Sequence, residues 1–304
     1  MQQRIFLLLA GLSLVACEDD AKSGMQTTDL GNRYSYVNAN DDGQLAEAGD
    51  YIYFQAQLKN EGDSVVYDTR DAGGDTPVIQ ALSDSLINEN TGPVEDIVRK
   101  LRVGERAVIR TNIAEYPPQA KPPGMQNDTV LLYDVEVTEI VKEQEFMERQ
   151  EARRAEQEAM AEQIRAREDE VLEFTQQVYD DYKAGELDDE LQTTANGVRY
   201  IIHEEGSGPE AEPGSAVVVQ YVGRLSSNGE IFDQSFERGM GIPFPLGQGR
   251  VIPGWDEGID ALQQGDRATL IIPAEQGYGA QGTPNGSIPP DSELIFYVEL
   301  EEVR

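Results

Sequence analysis

SAVVVQYVGRLSSNGEIFDQS, residues 215–235, is the stretch whose reading decides the fold. Apolar residues recur with period two on both sides of Asn228-Gly229, and Asn-Gly between two such runs is a strong short-range signal for a tight β-hairpin. The same plan stands earlier in the chain, in DYIYFQAQLKNEGDSVVYDT (50–69), with Glu61-Gly62 at the turn. Two further pairs follow in the same order. LQQGDRATLIIPAEQGYG (262–279) matches LRVGERAVIRTNIAEYPP (101–118), and LIFYVEL (294–300) matches LLYDVEV (131–137). Duplication of one α+β domain is the simplest account of paired motifs in one order.

Between the copies the composition changes. No Gly or Pro occurs from Met125 to Ala184, and Glu, Gln, Arg and Ala dominate 142–191, which predicts a long charged α-helix. Met160, Ile164, Val171, Phe174, Val178 and Tyr182 recur at threes and fours, interrupted by Arg167, so the second part of the helix carries one narrow apolar stripe. Two uses are open to the stripe: docking on the domain that follows, or pairing two copies of the chain into a homodimer through 142–192. The lack of sustained heptads in the Ala/Glu/Arg half favours docking. Gly185 and the acidic run Glu186 to Glu190 end the helix.

The chain has 304 residues with 39% apolar content, enough for about two folded cores. A net charge of −33 argues against nucleic acid as a partner, because a phosphate-binding surface needs clustered basic residues. One Cys and one His leave no intramolecular disulfide, no multi-cysteine metal site and no His-rich centre, and no metal or cofactor is expected. At the N-terminus, Arg4 precedes the apolar run Ile5 to Val15, a signal-peptide pattern too short for a ~30 Å hydrocarbon core. Leu14-Val15-Ala16-Cys17 resembles the bacterial lipobox, which implies lipidation of Cys17 and a lipid anchor in the cell envelope, on the periplasmic face of the outer membrane or at the cell surface. The Gly/Ser/Thr/Asn-rich residues up to about Ala48 read as a flexible stalk. The resulting division is a leader 1–16, a stalk 17–48, a domain 49–141, a helical linker 142–192 and a second domain 193–304.

The second domain resembles the FKBP-type peptidyl-prolyl isomerases over essentially all of 194–304. The stretches that carry the resemblance are VVQYVGRL, GEIFDQSF, FPLGQGRVIPGWDEGI (244–259) and YGAQGTPNGSIPPDSELIFYVEL from Tyr278 onward. The family fold is a twisted antiparallel sheet around one short helix. Here that helix is expected near Pro253, with Asp256-Glu257 in its first turn. The resemblance implies a pocket with Trp255 as floor, Tyr221, Phe232, Phe244 and Phe296 as walls, and Val251, Ile252 and Ile288 completing the lining. It places Asp233, Arg238 and Tyr278 at the rim, with the Tyr278 hydroxyl and the Ile252 N–H receiving the carbonyls of a bound X-Pro segment of an exported protein. It also implies binding of an FK506-like macrolide. Ile242, Thr283 and a loop one residue longer before Ile288 depart from the family pattern.

This inventory suits isomerisation, which needs no nucleophile, metal or histidine. Rotation about X-Pro faces a barrier of ~18–20 kcal/mol because amide resonance must be broken, and an apolar, oriented site can favour the twisted form. His203, on the first strand of the domain, reads as a half-exposed strand residue. In the first domain Tyr67-Asp68 matches Phe232-Asp233 and Tyr133 matches Phe296. Val94 stands where Trp255 does and Pro117-Pro118 where Tyr278-Gly279 does, so that copy is expected to be a degenerate, non-catalytic module. The rival to an enzyme is a holdase or a surface binding protein on the same scaffold.

Overall fold

The structure is a computed structural model that describes residue 22, residues 24–71 and residues 75–304. The leader, Cys17 and the first part of the expected stalk lie outside the described residues. The described chain forms two compact units, which divide between Arg149 and Gln150.

The first unit is a sheet and one short helix. Its strands are β1 (Met25–Thr27), β2 (Arg33–Asn38), β3 (Tyr51–Lys59), β4 (Val65–Asp68), β5 (Val78–Gln80), β6 (Arg106–Asn112) and β7 (Val130–Val141), with α1 (Pro93–Val98) between β5 and β6. The sheet order is β1-β2-β6-β7-β3-β4, with β5 on β3. One face packs on α1 through Ile52, Phe54, Ile109, Val135 and Val137 against Ile97 and Val98.

The second unit repeats this order. It contains β8 (Gln192–Thr193), β9 (Arg199–Glu204), β10 (Ala216–Leu225), β11 (Ile231–Gln234), β12 (Ile242–Pro245), β13 (Arg267–Ile272) and β14 (Leu294–Val303), with α4 (Pro253–Ile259) after β12. The order is β8-β9-β13-β14-β10-β11, with β12 on β10, strand for strand that of the first unit. Both sheets are antiparallel and the class is α+β, with two FKBP-like domains, as the duplicated motifs imply.

The equivalence corrects the stalk. Residues 25–38 supply β1 and β2, which extend the sheet of the first domain beside β6 rather than tethering it. Gln26-Thr27-Thr28 and Arg33-Tyr34 repeat Gln192-Thr193-Thr194 and Arg199-Tyr200 at the same spacing, and Tyr34 is buried against the first core. Tyr34 and Tyr36 both meet that core from alternate positions, but two tyrosines among polar residues are too short an alternation to mark a strand in sequence.

The linker is corrected as well. It is two helices, α2 (Glu143–Ala166) and α3 (Glu168–Ala184), broken at Arg167 and ended by Gly185 in the left-handed region. Arg167 leaves the apolar stripe because its guanidinium pairs bidentately with Glu299 at 2.6 and 3.0 Å. The stripe docks: Ile164 and Val171 pack with Val222, Phe236 and Tyr297 on the sheet face opposite α4. His203 is half-buried there, with Phe174 edge-on at 5.1 Å and its Nε2 2.8 Å from the Thr269 hydroxyl. Burial holds its imidazole pKa below the usual value. Among the described residues no helix is long and apolar enough to cross a membrane.

A docked stripe predicts unequal costs along the helix. Val171, 5% exposed, should tolerate aspartate poorly: Val171→Asp is expected to cost about 3 kcal/mol by burying an unpaired charge. Met160→Asp, at a side chain 61% exposed, should stay within about 0.5 kcal/mol. Urea unfolding followed by the fluorescence of the single Trp reads both.

Candidate functional site

Strand periodicity brings the expected residues to one place. On β10 the alternate residues Val217, Val219, Tyr221 and Leu225 face α4, and on β14 so do Leu294, Phe296, Val298 and Leu300. Tyr221 and Phe296 therefore lie on the α4 side of neighbouring strands, with Trp255 on α4 beneath them. The ring centroids of Trp255 stand 5.1 Å from Tyr221 and 5.3 Å from Phe296, both edge-on. Phe232 meets Phe296 edge-on at 5.4 Å and Phe244 lies 5.8 Å from Trp255. Such pairs contribute about 0.5–1.5 kcal/mol each beyond area burial. Ile288 is buried in the same cluster, while Phe232, Val251 and Ile252 are half-buried at its edge. Every apolar residue assigned to the pocket thus sits in one cluster.

Gly223 permits this. A Cβ there would come within 2.7 Å of the Phe232 and Phe296 rings, so a larger residue would part them. The first unit shows the alternative. By register on the last long strand, Ala56 stands where Tyr221 does and Leu58 where Gly223 does. The Ala56 N–H donates to the Thr69 hydroxyl as the Tyr221 N–H donates to that of Ser235. Leu58 and Tyr133 pack together and Val94 packs on the first core; Tyr67, 53% exposed, pairs with Leu58 as Asp233 pairs with Gly223, so it stands one residue away from the Phe232 position that the sequence match assigns to it. The counterpart site is filled and has lost its tyrosine hydroxyl.

Polar groups gather on one side of the second cluster. The Tyr221 hydroxyl donates to the Asp233 carboxylate and accepts from Arg238 Nη2 at 2.8 Å. Arg238 Nη1 also donates to Asp233 at 3.0 Å. Burial, then the bond to Asp233, pushes the Tyr221 pKa up to about 12, so the hydroxyl remains a donor. Tyr278 is 39% exposed, and burial followed by the Asp233 charge raises its pKa too. Neither the Tyr278 hydroxyl nor the Ile252 N–H makes a hydrogen bond among the described residues, which leaves two donors free at the mouth. The Trp255 indole N–H is buried and also without an acceptor.

Three residues support the site in roles that the sequence did not assign to them. Asp256 accepts the N–H groups of Gly247 and Gly249 at 2.8 and 3.1 Å, tying the loop before Val251 to the start of α4. Thr283 closes the loop that presents Ile288: its N–H donates to the Ile288 carbonyl and its hydroxyl accepts the Ile288 N–H, both at 2.9 Å. The Ser235 hydroxyl, bonded to Gln220, receives the Tyr221 N–H. A carboxylate in the first turn of a helix was the only one of these signals visible in advance.

A group whose pKa is higher folded than unfolded contributes stability fully present below its unfolded value and lost as pH rises through its folded one. For Tyr221 that window runs from about 10 to about 12. Tyr221→Phe should therefore flatten the loss of stability above about pH 10, read from urea midpoints across the alkaline range.

Comparison with known proteins supplies the remaining finding. The sequence model of the FKBP-type peptidyl-prolyl cis-trans isomerases matches residues 208–301. An FK506-binding protein of Streptomyces anulatus is 48% identical over 99 residues, which cover 33% of this chain and 80% of that protein. A peptidyl-prolyl cis-trans isomerase of Saccharomyces cerevisiae is 46% identical over 95 residues, 31% of this chain and 70% of that protein. Among solved structures, a peptidyl-prolyl cis-trans isomerase of Pseudomonas syringae pv. tomato is 33% identical, covering 43% of this chain and 94% of its own, with a TM-score of 0.36.

Proposed function

The chain belongs to the family of FKBP-type peptidyl-prolyl cis-trans isomerases, and on that premise we propose that its second unit isomerises X-Pro bonds of exported proteins at the cluster around Trp255. The observation that carries this reading is the pairing of a packed aromatic floor with two unengaged donors, the Tyr278 hydroxyl and the Ile252 N–H.

The proline ring lies on Trp255 between Tyr221, Phe232 and Phe296. The Ile252 N–H and the Tyr278 hydroxyl hold carbonyl oxygens on the two sides of the bond that turns. At the twisted transition state the amide gives up resonance and its carbonyl gives up dipole, so an apolar, water-poor site binds it better than the planar ground state. Asp233 and Arg238 hold the Tyr221 hydroxyl against the rim, and no covalent step is required. Because relatives are named for binding FK506, a macrolide of that kind is expected to occupy the same cluster and inhibit. The first unit, with Ala56 and Leu58 in place of Tyr221 and Gly223, serves as a binding, spacing or dimerisation module.

In an isomer-specific peptide assay the full chain should accelerate X-Pro isomerisation. Trp255→Leu and Tyr278→Phe should each lower kcat/KM by about tenfold or more, as lost orientation implies. No acceleration over background, or rates untouched by both changes, would leave a holdase as the better account.

The lipobox-like Leu14-Val15-Ala16-Cys17 supports an exported protein tethered to the cell envelope by a lipidated Cys17, on the periplasmic face of the outer membrane or at the surface. Metabolic labelling with an alkyne fatty acid should tag the chain, and Cys17→Ser should abolish the tag and release the protein to the soluble fraction. Unlabelled wild-type protein would overturn the anchor.

A further inference from the structure

We propose that helix α3 is a positioning element of the isomerase site, acting through Glu168 and Gln234 on the segment that carries Phe232, Asp233 and Arg238. This rests on the isomerase reading above and adds to it a determinant outside the pocket.

β11 is poorly held by the sheet alone. It has four residues, lies at the end of the sheet order, and pairs with β10 across a register shift at Gly223/Arg224. An edge strand is hydrogen-bonded along one side only, and a bulge interrupts that ladder locally. Yet this strand and the turn after it carry one aromatic wall and both partners of the Tyr221 hydroxyl.

The helices supply the missing anchors along its length. Before the strand, Arg224 donates to the Gly229 carbonyl at 2.9 Å while reaching the Leu172 carbonyl, the Thr175 hydroxyl and the Gln176 side chain on α3. Arg224 is 5% exposed, so this clamp is internal to the unit. Directly after Asp233, the Gln234 amide nitrogen donates to Glu168 at 2.7 Å; its amide oxygen is buried without a partner, so Glu168 alone holds the side chain. Phe236, fully buried, packs with Ile164 and Val171 beneath the Arg167 guanidinium. At the far end Gly239, in the left-handed region, lies so close to α2 that a Cβ would stand 2.7 Å from the Ala161 carbonyl.

These contacts divide into two kinds. Phe236 and Arg224 are core and their loss would unsettle the unit. The Glu168–Gln234 bond is half-exposed, so water can take the place of a lost partner and its removal costs less stability than theirs, while it fixes the residue next to Asp233. In a site that works by orientation, small displacements cost rate before they cost stability.

The test is a double-mutant cycle in the full chain with an isomer-specific X-Pro peptide. Glu168→Ala and Gln234→Leu should each lower kcat/KM about fivefold with urea midpoints nearly unchanged, and the double variant should be no slower than either. Glu168→Gln, which keeps an acceptor oxygen, should restore the rate. Additive losses, losses that track falling stability, or rates that neither variant alters in an active enzyme overturn the inference while leaving the isomerase reading intact. An unaltered chain with no activity overturns both.

Discussion

One strand has to satisfy two faces. β10 gives Val219, Tyr221 and Leu225 to the core around α4, and between them Val222 and Arg224 to the face beneath α3. The period-two reading of AVVVQYVGRL captures only the α4 side: a strand buried on both faces reads as a nearly continuous apolar run, here interrupted at Gln220 and Arg224. The site side needs a packed aromatic floor. The other side would leave Val222, Phe236 and Tyr297 in water unless something covered it. α3 is that cover, and its apolar stripe exists for this reason.

The two copies diverge on both faces together. In the first unit Asp134 occupies the place of Tyr297, nearly buried, and it is held by two bonds from Arg106 at 2.7 Å and one from Lys59 at 2.8 Å. Gln55, Gln57 and Glu136 lie around it, so the middle of this face is polar, and α2 meets the face at the start of β3, where Phe146 stacks on Tyr51 at 3.6 Å. On the opposite face, Leu58 in place of the glycine closes the space that the aromatic walls require. Losing the site and replacing the apolar middle of the opposite face by paired charges are changes to alternate residues of the same strands.

Much of the pocket was legible because its chemistry demands unusual letters. A lone Trp after Ile-Pro-Gly and a Phe-Asp beside a hairpin turn are hard to place elsewhere. The outer supports were not. Arg224 carries a charge that reads as surface, yet it is buried because its guanidinium makes four hydrogen bonds to neutral acceptors on a helix distant in sequence and a fifth to the Gly229 carbonyl. Thr283 looks like a departure from the family and is a loop clasp. The strands at 25–38 were missed for a different reason: the polar repeat Gln-Thr-Thr with Arg-Tyr is informative only once its second copy is known to be β8 and β9.

The boundary of the functional unit follows from the same constraint. Family similarity begins at residue 208, and the pocket lies wholly beyond it. A unit defined by the pocket alone would nevertheless expose Tyr297, Phe236 and Val222, strip Arg224 of its acceptors on α3, and leave β11 fixed along a single edge. The compact unit instead begins at Gln150, inside α2. The charged helix that reads as a linker between two copies is, over its second half, the outer layer of the catalytic one. This places the acidic surface of that helix around the enzyme while its few apolar residues do the packing, so a strongly negative exterior and a charge-poor aromatic site coexist in one unit without conflict.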